Sequence, residues 1–141
     1  DGRLPETFRN ELMKIGNWLK LNGEAIYDTR PFTVYGEGNF SAKAHQQQYA
    51  DYLYAFTAKD IRFTTKKNTI YVFAMDWPGN GAILKIRHLN SKKIRNIQSV
   101  SFLASGETVN WTQDINGLSI TMPSRPAGEY AYVFKVTLSD I

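Results

Sequence analysis

Few residues in this chain have types and spacing that suit chemistry. Hydrolysis of a glycosidic bond needs two carboxylates flanking it, about 5 to 5.5 Å apart where configuration is retained. The chain has 13 acids, and Glu37, Asp60, Asp76 and Glu107 are the candidates. No spacing among them signals a catalytic pair. Asp60, just ahead of Ile61-Arg62, and Asp76, at the end of a β-forming run, read as strand-edge or turn residues. The two histidines, His45 and His88, lack a paired spacing such as His-x-x-x-His, and there is no cysteine. A thiolate metal site, a Cys nucleophile and a disulfide framework are therefore excluded, and neither metal nor cofactor is expected. Gly36-Glu37-Gly38 lacks the third glycine of a dinucleotide fingerprint.

Aromatic side chains are the other candidates, because exposed Tyr and Trp can stack on sugar rings or on bases through their apolar faces. Most of them, such as Phe63, Phe73, Phe102 and Phe134, fall where alternation buries them. Trp77, next to Pro78 at a strand end, and Trp111, beside a hairpin turn, are the two placed for exposure. A cluster at Tyr49, Tyr52, Tyr54 and Phe56 is a third place. Carbohydrate binding is thus assigned to Trp77, Trp111, Tyr49 and Tyr52. Asn39-Phe40-Ser41 and Asn110-Trp111-Thr112 match the short Asn-x-Ser/Thr pattern.

Charge is unevenly spread. The net value is +4, yet no acid lies between Asp76 and Glu107, where Lys85, Arg87, Lys92, Lys93 and Arg95 stand. This basicity is local, and its ordinary reading is a solvated face. No nucleic-acid motif accompanies it, so nucleic acid is not an expected partner. No apolar run approaches the roughly 18 residues of a membrane span.

The elements that must position these residues follow from periodicity. A chain of 141 residues, 43% hydrophobic and 21% charged, is one domain's worth of globular material. It opens on Asp1 rather than Met, which suggests a processed or excised piece of something longer. Pro5-Glu6 suits a helix start. Phe8, Leu12, Ile15 and Leu19 then form one face, widened by Trp18, and Asn22-Gly23 is a stop signal. The helix is roughly 27 Å long at 1.5 Å per residue, and its apolar stripe needs a partner. From Gly23 to Lys59 the pattern is mixed: Thr29-Arg30-Pro31 reads as extended chain, Gly36-Glu37-Gly38 as a turn, and His45 to Gln48 as a polar loop. From Asp60 the period is two. Ile61–Thr64 and Ile70–Met75 flank the turn Lys66-Lys67-Asn68. Ile83–His88, Val100–Leu103, Val109–Thr112, Leu118–Met122 and Ala131–Leu138 follow, with Asn116-Gly117 as a hairpin signal. Short strands at this spacing predict a mainly β chain, an antiparallel β-sandwich of Greek-key type behind one amphipathic helix. No helical pattern alternates with the strands, which excludes a doubly wound sheet.

Specific runs carry a resemblance. Asp1-Gly2-Arg3-Leu4-Pro5-Glu6, Ile15-Gly16-Asn17-Trp18-Leu19, Asn22-Gly23-Glu24-Ala25-Ile26-Tyr27 and Thr29-Arg30-Pro31-Phe32 resemble the end of the catalytic barrel in family 29 glycoside hydrolases, the α-L-fucosidases. The likeness continues through Tyr35-Gly36-Glu37-Gly38, Asp60 to Thr65, Ile70-Tyr71 and the last hairpins. Asp28 stands where the family often has a small residue, and Phe40 to Tyr54 looks like an insertion. The resemblance implies that residues 1–23 are the last barrel helix, 24–59 a connector and 60–141 a C-terminal β-sandwich. It implies a parent enzyme that removes L-fucose with retention, through an Asp nucleophile and a separate acid/base carboxylate, both on the barrel upstream of this chain. No catalytic residue maps here, and Glu24 takes a structural role in the turn that satisfies the helix's carbonyls and anchors the connector. The implied partners are the barrel and fucosylated glycans. The implied compartment is lysosomal, secreted or periplasmic. An independent carbohydrate-binding module is the alternative.

Overall fold

The computed structural model describes residues 2–38 and 56–140. One helix, α1 (Glu6–Asn22), runs into a single 3-10 turn, Gly23–Ala25. Eight strands follow among the described residues: β1 Arg30–Glu37, β2 Ile61–Lys66, β3 Thr69–Ala74, β4 Ile83–Ile86, β5 Ile97–Phe102, β6 Trp111–Asp114, β7 Gly117–Thr121 and β8 Tyr132–Leu138. They make two antiparallel sheets, a five-stranded one in the order β1-β2-β3-β8-β5 and a three-stranded one in the order β4-β7-β6. The expected mainly β, antiparallel architecture behind one helix is the one observed.

Alternation explains the core. On β3 the side chains of Ile70, Val72 and Ala74 enter the main core, with Leu84 and Ile86 of β4, Leu118 and Ile120 of β7, and Phe134 and Val136 of β8. Phe102 of β5 stacks on Phe134, with ring centres 5.2 Å apart. The opposite face of β3 presents Tyr71 and Phe73, which are also buried, together with Ala25 and Val133. Every residue of β3 is therefore buried, because α1 and its following turn cover the outer face of the five-stranded sheet.

Three local details depart from the sequence reading. The stretch read as connector contains a strand: β1 pairs with β2, with a shift between Pro31 and Gly36, so Gly36-Glu37 ends a strand and is not a turn. Pro31, which lacks an N–H, suits this edge position. The chain leaves β1 at Gly38, whose φ of +123° is open mainly to glycine. Second, Gly23 does not take the left-handed conformation; its φ is −59°, and a side chain there would meet the Tyr27 ring at 2.7 Å. The left-handed residue is Asp28, with φ 57°, which explains why a small residue suits that place. Third, Asp114 pairs with Gly117, so the hairpin loop is Ile115-Asn116, one residue before the expected Asn116-Gly117. The Asp114 carboxylate accepts the N–H groups of Asn116 and Gly117 at 2.7 and 3.1 Å and so sets the register. The insertion read at 40–54 lies outside the described residues.

Candidate functional site

The helix attaches through a narrow set of contacts. The Trp18 ring stacks on Phe73 at 6.3 Å and 22°, and its Nε1–H donates to the Ala131 carbonyl at 2.9 Å. The following turn is held to three strands. Thr64 Oγ1 of β2 donates to the Ala25 carbonyl at 2.7 Å. Tyr71 Oη of β3 and Lys135 Nζ of β8 both donate to Glu24 Oε1, at 2.8 and 2.5 Å. The bond from Lys135 above all holds the Glu24 carboxyl below its ordinary pKa; burial opposes it, and the Tyr71 hydroxyl adds a lesser lowering. Burial first, then the bond to Glu24, pushes the Tyr71 hydroxyl well above the usual phenol range. Glu24 thus anchors the chain to the sheet. It does not satisfy the helix's carbonyls, because an ionised carboxylate can only accept. The Leu19 carbonyl is met by the Gly23 N–H instead.

The stripe that defines α1 in sequence does not face this attachment. Phe8, Leu12 and Ile15 are 59%, 48% and 57% exposed, and Leu4, Met13 and Leu21 are exposed elsewhere on or before the helix. Where the helix meets the chain entering β8, an open groove of about 430 Å³ is lined by Ile15, Trp18, Leu19, Ile26 and Tyr130. Tyr130 is itself exposed and has φ 71°, a conformation that bulky side chains rarely adopt and that structures hold for a reason. This is an extended apolar surface of the kind that marks an interaction site. Sequence periodicity found the stripe; Tyr130 has no local signal and was missed.

A second concavity, about 660 Å³, opens between the end of β1 and β4 and includes Gly36, Glu37, Lys59, Pro78, Ile83, Lys85, Arg87 and His88 in its lining. Glu37 is tied to the turn after β4. Its Oε1 accepts the Arg87 N–H at 2.9 Å, and its Oε2 accepts the His88 N–H at 3.1 Å and meets His88 Nδ1 at 2.5 Å. The Phe63 ring lies edge-to-face with the imidazole, 6.5 Å between centres.

The residues singled out in sequence are scattered. Trp77 is half-buried; its ring packs on Tyr132 and Phe102, 5.0 and 6.0 Å between centres, and its Nε1–H donates to Asn80 Oδ1 at 2.9 Å. Trp111 is half-buried on β6 and packs against the main core. Tyr49, Tyr52, Tyr54 and His45 lie outside the described residues. Asp60 is fully buried and accepts from the Thr57 N–H and hydroxyl at 2.8 and 3.1 Å. Glu107 bonds Ser105, and Asp76 bonds the Trp77 N–H. Among the described residues no three His, Asp or Glu side chains cluster as metal ligands, and no helix is long and apolar enough to cross a membrane.

Comparison with known proteins bears on these surfaces. A model of the alpha-L-fucosidase C-terminal domain matches residues 55–137. The tissue alpha-L-fucosidase of Rattus norvegicus is 30% identical over 97% of this chain, which covers 26% of that protein. The plasma alpha-L-fucosidase of Homo sapiens is 26% identical over 87% of the chain and 22% of its own length. The chain thus spans about a quarter of the curated relatives it matches. In fold it is similar to the crystal structure of Thermotoga maritima alpha-fucosidase, with a TM-score of 0.71 and 24% identity over 97% of this chain and 28% of that one.

Proposed function

Because the chain belongs to the alpha-L-fucosidase C-terminal domain family, we propose that it is the non-catalytic β-sandwich of a retaining fucosidase, and that it packs against and stabilises a catalytic barrel. The observation that carries this reading is the exposed stripe on α1. Phe8, Leu12 and Ile15 have helical spacing and yet stand about half exposed or more, whereas Trp18, at the border of the stripe, and the Glu24 turn anchor the helix to the sheet. A helix sandwiched between the sheet and a second body buries both faces. The stripe is the half that the second body completes. The full-length relatives supply a candidate for that body, since about three-quarters of each lies outside the match. The chemistry is assigned to that body, because the resemblance to the fucosidase family puts both catalytic carboxylates on the barrel upstream of this chain. The resemblance to enzymes named for tissue and plasma supports a lysosomal, secreted or periplasmic setting.

The first test is the intact mass of the polypeptide from its source, followed by an assay on an aryl α-L-fucoside. A mass three times that of this chain or more, with release of the aryl group by the native protein and none by residues 1–141 alone, is the expected result. Hydrolysis by the isolated chain would sink the non-catalytic assignment. A native polypeptide of this length alone would remove the barrel.

A further inference from the structure

The concavity beside β4 is separate from the α1 stripe and takes no part in the docking just described. We propose that it binds the anionic group of a saccharide, a sulfate ester or a carboxylate, a reading that rests on the chain's place in a fucoside-processing protein. Its volume of about 660 Å³ falls in the range that encloses a small ligand. Part of its lining is apolar, with Pro78 and an Ile83 that is 61% exposed; such a surface suits the C–H face of a pyranose. The rest carries Lys59, Lys85, Arg87 and His88.

The opposing charge is already committed. Glu37 is the one carboxylate in the lining among the described residues, and both its oxygens are bonded to the Arg87 and His88 backbone and to His88 Nδ1. With Nδ1–H donated to Glu37, the neutral imidazole keeps Nε2 as an acceptor, which suits a sugar hydroxyl rather than the anion. Lys85 lies 3.7 Å from Asp114 with both side chains well exposed, a loose pair of little energetic consequence. The Lys59 ammonium and the Arg87 guanidinium belong to no ion pair among the described residues. The cleft therefore carries an excess of positive charge on flexible, solvent-reached groups beside an apolar surface. A guanidinium offers two parallel N–H groups that match carboxylate or sulfate oxygens, and an ammonium adds a point charge. A single cleft of this size suits a localised anion on a small ring. A nucleic-acid strand instead needs a charged groove that tracks its backbone.

The test is calorimetric titration of the full natural protein with three sugars: a sulfated fuco-oligosaccharide, its desulfated form and a glucuronate-bearing disaccharide. Binding of one or both charged sugars beyond that of the neutral one, which the barrel's own site also takes, with that excess weakened by added salt, is the expected result; which charged sugar shows the excess distinguishes sulfate from carboxylate. Arg87→Gln and Lys59→Gln should each lower affinity about tenfold without moving the melting temperature, because both side chains are exposed. Lys92→Gln, an exposed cation outside the cleft, should leave affinity unchanged. The proposal is overturned if neither charged sugar binds more tightly than the neutral one, or if Lys92→Gln weakens binding as much as Arg87→Gln. Assaying the aryl fucoside alongside separates the two readings: charged-sugar binding without hydrolysis upholds the cleft and sinks the fucosidase assignment.

Discussion

At the scale of single residues, Glu24 shows how a side chain in a strongly matching motif serves architecture. Its carboxylate joins the turn after α1 to Tyr71 of β3 and Lys135 of β8. The folded state holds its pKa below the ordinary value, so the contribution is present above the unfolded carboxylate pKa and is lost as pH falls through the folded one. Glu24 and Lys135 are 44% and 33% exposed, so solvent screening limits the pair to about 0.5–1 kcal/mol. Glu24→Gln should lower the melting temperature near neutral pH and have less effect in acid; equal loss at both would exclude the ion pair as the cause. Tyr71 works in the opposite direction. Its raised pKa means that its stabilisation holds below the unfolded value of about 10 and is lost as pH rises, so Tyr71→Phe should flatten the alkaline fall in stability. Gly117 makes a different demand. A Cβ there would sit 2.5 Å from the Ile86 carbonyl oxygen, at φ +153°, just past the pairing of Leu118 with Ile86. Gly117→Ala should cost about 1–3 kcal/mol, read from the denaturant midpoint. The period and the Asn116-Gly117 signal announced this hairpin; the one-residue offset was not legible, because Asp114's bonds to two N–H groups choose the loop. Glu37 was legible only as an unpaired acid, since its histidine lies 51 residues away.

At the scale of elements, α1 has two faces that do different work. Its attachment to the sheet runs through Trp18, which packs on Phe73 and donates to the Ala131 carbonyl. Trp18→Ala should destabilise the isolated chain by about 2–3 kcal/mol and raise amide exchange along the helix. Leu12→Ser with Ile15→Ser should leave its melting nearly unchanged, since both side chains are about half exposed. A large loss from that double change would show that the stripe packs within this chain. The helix and its ends were readable because 3.6-residue spacing and a Pro start are local signals. Which side meets the sheet was not, because Trp18 borders the same stripe and only the position of β3 and β8 selects it. β1 was hidden for a related reason. Its strand carries Pro31, a register shift and Gly36, all of which weaken a period-two pattern, and it becomes a strand by pairing with β2.

At the scale of the whole molecule, two surfaces remain after the sandwich has closed: the apolar stripe with Tyr130, and the basic cleft beside β4. In the full natural protein, Leu12→Asp with Ile15→Asp should lower the melting temperature strongly and reduce fucoside hydrolysis through loss of the folded barrel, whereas the same pair in residues 1–141 alone should be nearly silent. Equal effects in both would remove the stripe from the interface. The amino-acid order alone determined the helix, most of the strands, the absence of thiol chemistry and the family resemblance, because periodicity, Gly and Pro punctuation and motif spacing act between near neighbours. Only the tertiary structure decided that Glu24 meets Tyr71 and Lys135, that Trp77 and Trp111 pack against the core, and that Glu37 neutralises no lysine in the cleft because its oxygens are held by the turn at Arg87 and His88. Those outcomes depend on which elements lie opposite one another, and burial and charge pairing are properties of that juxtaposition.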